Sequence, residues 1–347
     1  MREISIQKNE AGQRMDKFLA KYLNKAPKSF FYKMMRKKNI TLNGKKAVGN
    51  EQLKQGDVIK LFLAEETIEN FIDHSQFSKK KASSARKQTD GKKVQLDILY
   101  EDEAAVFINK PVGMLSQKAS PTDTSLVEYF IDYLLENGKI TEEELHTFHP
   151  SVCNRLDRNT SGIVAAGKTL QALQGLSEMF RDRTLKKYYL CLVKGQVKEN
   201  QRIHGYLVKN EKTNKVTVSQ KKPAEQTKEW KEASAIDTEY KVLARNRETT
   251  LLEVHLITGK THQIRAHLAY LGRPVLGDIK YGNRKMNERT GTKTQALCAV
   301  RVTFLDIPEE NTLHYLSGKV VKLKDPQIVK QFDALDKSKN SEENHPA

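Results

Sequence analysis

Asn154-Arg155-Leu156-Asp157-Arg158-Asn159-Thr160-Ser161-Gly162 is the stretch around which the chain is organised, and the apolar run Ile163-Val164-Ala165-Ala166 follows it. One carboxylate stands between two guanidiniums, an arrangement that favours its ionised form. The Thr160-Ser161-Gly162 corner lets the backbone turn sharply and approach a ligand. Together they suit a carboxylate presented at the mouth of a cleft to an anionic substrate. The plain alternative is a surface aspartate kept in a turn by its ion pairs, because structural ion pairs also perturb carboxylates.

The rest of the chain bears on that choice. Its 347 residues exceed the common single-domain size, so two domains are expected. The net charge of +17 favours a polyanionic partner, RNA or DNA, over a lipid surface. No apolar run approaches the length of a spanning helix, so no membrane role is expected. Met1-Arg2-Glu3-Ile4-Ser5 lacks the apolar core of a signal peptide. Cys153, Cys191 and Cys298 are far apart, with no Cys-x-x-Cys pair, which argues against a disulfide framework or a zinc site and for a reducing cytoplasm. Cys191 and Cys298 lie in apolar stretches and read as small buried hydrophobes.

Residues 1–64 read as a compact unit. Met15, Phe18, Leu19, Tyr22 and Leu23 have helical spacing, and a second helix is expected over 29–36 with Lys28, Lys33, Arg36 and Lys37 in or beside it. A strand over 40–45 ends in Asn43-Gly44, and Gly56-Asp57 precedes a strand over 58–62. Residues 65–94 are lysine-rich and poor in apolar side chains, and they read as a flexible basic linker. The second domain, 95–325, offers a buried strand over 104–110 stopped by Pro111-Val112-Gly113. It offers helices near 126–135 and 170–181, and alternating strands at 186–195, 238–243 and 250–257. Thr261 is expected to cap a helix carrying His262, Arg265, His267 and Leu268, with Gly272 as its stop. The two histidines are poorly spaced for a metal and, with Arg265, could meet a phosphate. The tail, 337–347, is polar and expected to be disordered.

Two resemblances follow from these residues. Arg14-x-Asp16-Lys17-Phe18-Leu19, the basic second helix, Thr41-Leu42-Asn43-Gly44-Lys45 and Gly56-Asp57-x-Ile59 resemble the S-four-type RNA-binding domain. That resemblance implies that Lys28, Ser29, Lys33, Arg36 and Lys37 face RNA. The second domain resembles the RluA-type pseudouridine synthases over roughly 95–310. Four blocks stand in the family's order: Asn109-Lys110-Pro111-x-Gly113; Arg155-Leu156-Asp157-Arg158-x-Thr160-Ser161-Gly162; Lys187-x-Tyr189-Leu190-Cys191-Leu192-Val193-x-Gly195; and Thr258-Gly259-Lys260-x-His262-Gln263-Ile264-Arg265-x-His267-Leu268, which runs into Gly277-Asp278-x-x-Tyr281-Gly282.

The second resemblance implies an α+β fold with a mixed, mostly antiparallel sheet around a central cleft. It also implies isomerisation of uridine to pseudouridine in RNA without a cofactor or metal. The target base would be flipped into a pocket. Arg155 would help displace it, and Asp157 would be the catalytic carboxylate. Attack on the sugar, attack on the base and removal of a sugar proton all remain open for Asp157. Arg265 would be its ion-pair partner, and Tyr189 would stack on the base and handle a proton. Ile264 and Leu268 would wall the pocket, and Lys110, Arg158 and Lys260 would contact phosphates. Asn154, Lys260 and Cys298 depart from the family, which usually has His, Arg and His there. Large-subunit ribosomal RNA is the favoured substrate, with tRNA as the alternative and a monomer expected. A non-catalytic RNA-binding or ribosome-assembly factor, and the related small-subunit synthases, are the competing readings.

Overall fold

The computed structural model describes residues 1–73, 94–224 and 231–340. The N-terminal unit contains β1 (Arg2–Ser5), α1 (Met15–Tyr22), α2 (Lys28–Arg36), β2 (Ile40–Leu42), β3 (Lys45–Lys46), β4 (Val58–Leu61) and α3 (Glu65–Asn70). Its four strands form one antiparallel sheet in the order β1-β4-β2-β3. Met15, Phe18 and Leu19 of α1 and Phe31, Met34 and Met35 of α2 share a buried core with Ile40, Ile59 and Leu61 of the sheet. Apolar residues at spacings of three and four put one stripe of each helix inward, and the basic residues are left outside. The expected linker begins later than residue 65. Ile68 of α3 and Ile72 behind it bury against the same core, so that stretch has apolar anchors that its charge obscured. The basic run within 74–93 lies outside the described residues.

The second unit contains β5 (Asp97–Glu101), β6 (Ala105–Lys110), α4 (Leu126–Glu136), β7 (Ser151–Val152), β8 (Ser161–Gly167), α5 (Leu170–Asp182), β9 (Leu185–Lys194), β10 (Gln201–Asn210), β11 (Lys215–Ser219), β12 (Ser234–Arg245), β13 (Thr249–Leu256), α6 (Gln263–Tyr270), α7 (Arg284–Arg289), β14 (Leu297–Phe304), β15 (Val320–Lys322) and α8 (Gln327–Asn340). Its sheet runs β11-β10-β12-β13-β9-β14-β8-β6-β5, with β15 beside β14 and β7 beside β8. Every pairing is antiparallel except β14 with β8. The fold is therefore α+β with a mixed, mostly antiparallel sheet.

Alternation along the central strands covers both faces of this sheet. Tyr189, Cys191 and Val193 of β9 face one core, together with Val164 and Ala166 of β8 and Leu297 and Ala299 of β14. Leu190 and Leu192 of β9 face the opposite side, where Ile328 and Phe332 of α8 pack. Cys191 and Cys298 are both buried. Helix α8 continues to Asn340, so the first residues of the expected tail are helical; 341–347 lie outside the described residues.

The two units meet at a loop of the first. Thr147 Oγ1 donates to Glu10 Oε1 at 2.6 Å, and Asn9 Nδ2 donates to Glu144 Oε1 at 3.0 Å. Both Thr147 and Glu10 are buried there. Among the described residues no helix is long and apolar enough to cross a membrane.

Candidate active site

Asp157 sits on the loop that joins β7 to β8, and its neighbours are pinned one after another. Asn154 Oδ1 accepts from the Ala165 amide at 2.8 Å and its Nδ2 donates to the Ile163 carbonyl. The Asn154 amide thus extends the β7–β8 ladder by one side chain, because it offers both a donor and an acceptor. Ser116 Oγ accepts from the Leu156 amide and donates to the Leu156 carbonyl, each at 2.9 Å. The Gly113 amide donates to the Arg158 carbonyl at 2.8 Å. Gln295 Nε2 donates to Thr160 Oγ1. A carboxylate on a loop held at 154, 156, 158 and 160 has little freedom to move.

Lys110 is part of this brace. It is fully buried, and its Nζ donates to the carbonyls of Pro111, Met114 and Arg158 at 2.9, 2.8 and 3.2 Å. The expected phosphate contact is therefore overturned: all three ammonium hydrogens are engaged by backbone. The Lys-Pro-x-Gly corner ties its own loop to that of Asp157. Burial pushes the Lys110 ammonium down to about 8, against the opposing pull of the Asp157 charge.

Gly162 also has a different use from the one its corner suggested. Its φ is +110°, and a Cβ there would lie 2.1 Å from the Ala299 carbonyl oxygen. The glycine lets β14 pass against β8; it is the approach of a strand that needs it, not that of a ligand.

Arg265 projects from α6 and grips Asp157, its Nη1 donating to Oδ2 at 2.6 Å. Its other edge is held by Asp278: Nε donates to Oδ2 at 2.7 Å and Nη2 to Oδ1 at 3.0 Å. The Asp278 side chain is wholly buried and also accepts from the Lys280 and Tyr281 amides. Burial lowers the Arg265 pKa, but Asp278 first and then Asp157 outweigh it and leave it raised. Burial works upward on Asp278, and Arg265 with the two amides brings it below the usual carboxylate range. Asp278 was quoted in the sequence without a role. The signal that could have found it is chemical, since a buried arginine reaching one exposed acid needs a second, buried one.

Helix α6 begins one residue later than expected. Its N-cap is His262, with φ +53° in the left-handed region, and not Thr261. Tyr281 Oη accepts from the Val216 amide at 2.9 Å and lies 3.0 Å from His262 Nδ1. On the other side of the ring, His262 Nε2 lies 3.9 Å from Asp157 Oδ2. Burial, aided by Arg265, lowers the His262 pKa and keeps the ring neutral.

A cleft of about 1130 Å³ opens over these residues. Asp157, Tyr189, Arg265, Ile264, Arg155, Arg158 and Lys260 all line it. Arg155, Arg158 and Lys260 are exposed on its rim, and neither Arg155 nor Arg158 makes an ion pair among the described residues. Asp157 is thus paired by a distant arginine and not by its sequence neighbours. Leu268 is not on the wall; it is a turn deeper on α6 and packs in the core, while Leu256 and Leu297 supply the apolar wall beside Ile264. Burial and then the Asp157 charge raise the Tyr189 phenol well above its ordinary value, so it stays protonated. Among the lining residues that are described, Asp157 is the one acid, in a wall with many lysines and arginines. Among the described residues no group of three His, Cys, Asp or Glu is placed to hold a metal.

Lys28, Ser29, Lys33 and Arg36 are exposed on α2 of the first unit, and Lys37 is exposed at its C-cap.

Residues 104–270 match the model of the RNA pseudouridylate synthase family. A ribosomal large subunit pseudouridine synthase C of Vibrio parahaemolyticus is 32% identical over 292 residues, which cover 83% of this chain and 82% of that protein. The chain belongs to the pseudouridine synthase family. This synthase is also similar to the protein of the same name in Escherichia coli K12, at 29% identity over 342 residues and 97% of each chain. Among solved structures, the human RNA pseudouridylate synthase domain containing 4 protein covers 69% of this synthase and 92% of its own length, with a TM-score of 0.54 and 22% identity. That is a likeness of fold. The synthase is an isomerase acting on RNA, and its pinned aspartate lies within the matched region.

Proposed function

We propose that this protein converts uridine to pseudouridine in large-subunit ribosomal RNA. The observation that carries the reading is Asp157, the one described acid in a basic cleft, gripped by Arg265 and left 30% exposed toward the substrate side. The names of the ribosomal large subunit relatives supply the RNA. A cleft so basic attracts a phosphodiester chain, and its apolar floor of Ile264, Leu256 and Leu297 accepts a base that has left its stack. Arg155 on the rim fills the place the base leaves. Tyr189 receives the flipped uracil on its ring, and its hydroxyl keeps a hydrogen to donate. Arg158 and Lys260 meet phosphates.

In the reaction the bond from uracil nitrogen to the ribose breaks and a bond from C5 of the ring to the same ribose carbon forms. The C5 hydrogen leaves as a proton, and the freed nitrogen takes one. Asp157 acts at the sugar or the base while Arg265 fixes its position. The N-terminal unit, resembling an S-four-type domain, adds the exposed α2 stripe as a grip on RNA away from the cleft. The test is carbodiimide mapping of pseudouridines in total RNA from cells with and without the protein. Loss of large-subunit sites supports the reading; loss confined to tRNA, or an unchanged map, overturns it.

A further inference from the structure

We propose that Lys187 is a phosphate-binding residue of the catalytic cleft, holding the RNA backbone beside the uridine that Tyr189 receives. The inference rests on the reading of the cleft as an RNA site and goes beyond it by assigning a residue to the backbone of the flipped nucleotide.

Two buried lysines lie near this cleft, Lys110 beneath the Asp157 loop and Lys187 in the wall itself, and their surroundings differ. Lys110 has every ammonium hydrogen on a carbonyl. Lys187 is 8% exposed, and its ammonium makes no hydrogen bond or ion pair among the described residues. It lines the cleft, and Gly259 stands before it: a Cβ at that position would lie 3.4 Å from Nζ. The missing side chain leaves the ammonium open to the cleft.

The Lys187 stem is packed while its ammonium reaches the cleft with no protein acceptor, so a ligand in the cleft can supply one. The ligand must be anionic. Arg183, also on the wall, repels the Lys187 charge, and burial with that repulsion brings Lys187 down to about 8. At neutral pH it remains mostly protonated. Asp157 is paired with Arg265, and no ion pair joins it to Lys187 among the described residues. The lysine is therefore not the carboxylate's partner.

Lys187 and Tyr189 are alternate residues of β9 and point to the same face. Two residues of a strand advance about 6.6 Å, close to one nucleotide step of an RNA backbone. A base on the Tyr189 ring thus places a flanking phosphodiester at Lys187.

The experiment uses the full-length protein and an unmodified large-subunit ribosomal RNA transcript tritiated at uridine C5, because each turnover releases one C5 hydrogen to water. Lys187→Ala should raise KM about tenfold, leave kcat within about threefold, and lower the salt slope of binding by about one phosphate contact. Lys187→Arg should restore the slope. Lys187→Met should melt no lower than the wild type, since the ammonium has no protein partner to lose and the stem is replaced by one of similar length; a structural lysine would show the reverse. On a short RNA around the modified site, one neutral methylphosphonate should impair the wild type and add nothing to Lys187→Ala. Wild-type turnover with an unchanged slope in Lys187→Ala, or additive methylphosphonate losses at every position, overturns the Lys187 assignment alone. Absence of wild-type tritium release from the transcript overturns the RNA reading and this inference with it.

Discussion

Arg265 joins Asp157 to Asp278, giving the half-buried carboxylate of Asp157 one hydrogen bond of 2.6 Å and the buried carboxylate of Asp278 two. The guanidinium fork is planar, so its two edges can serve two acids at once. The asymmetry predicts different outcomes at the two aspartates. Asp157→Ala leaves Arg265 still held by Asp278, so turnover should fall to background while the fold and RNA affinity are kept. Asp278→Ala leaves a buried cation short of its main partner, which costs about 3 to 5 kcal/mol when one half of a buried pair is removed. Both activity and melting temperature should fall. Equal melting temperatures for the two variants would show that Asp278 is not the anchor.

Lys110→Met should behave as a structural lesion. It strands the Pro111 and Met114 carbonyls at the base of the Asp157 loop, while the Arg158 carbonyl keeps the Gly113 amide, at a cost of about 2 to 4 kcal/mol. The salt slope of RNA binding should not change. Denaturant unfolding and binding titrations across salt separate this outcome from the loss of a phosphate contact.

His267 sets an acid limit on stability. Its Nδ1 lies 3.1 Å from Thr238 Oγ1, which itself accepts from Gln263 Nε2. Burial, against a weaker pull from Asp237, brings His267 down to about 4. Between pH 6.5 and 4 the unfolded chain binds a proton there that the folded chain refuses. Stability should therefore be full above 6.5 and fall as the pH drops through this window, by about 3 kcal/mol from this group. His267→Asn keeps an acceptor without the titration and should flatten the unfolding profile over that range. A profile unchanged by the substitution would remove His267 as the cause.

The α2 stripe should act on binding and not on chemistry. Replacing Lys33, Arg36 and Lys37 together by alanine should lower RNA affinity at low salt and reduce the salt slope by about 2 to 3. Turnover at saturating RNA should stay near normal, because none of the three lines the cleft. A drop in saturated turnover with an unchanged slope would contradict the role of this face.

The sequence by itself determined the elements and the chemistry-bearing residues. Alternation at 186–195 and 250–257 marked strands, and four blocks in order brought out Asp157, Tyr189 and Arg265. Those features are periodic or local, and a linear pattern carries them. Only the tertiary structure decided what each charge meets. Lys110 and Lys187 are both lysines near apolar strands, yet one is engaged by three carbonyls and the other by nothing in the described chain. Arg155 and Arg158 flank Asp157 in the chain, yet its partner is Arg265, 108 residues away. Hydrogen-bond partners and burial depend on which loops converge after the sheet closes. The stretch around Asp157 therefore announced a carboxylate, and the fold supplied the pinned loop and the braced arginine that hold it in the cleft.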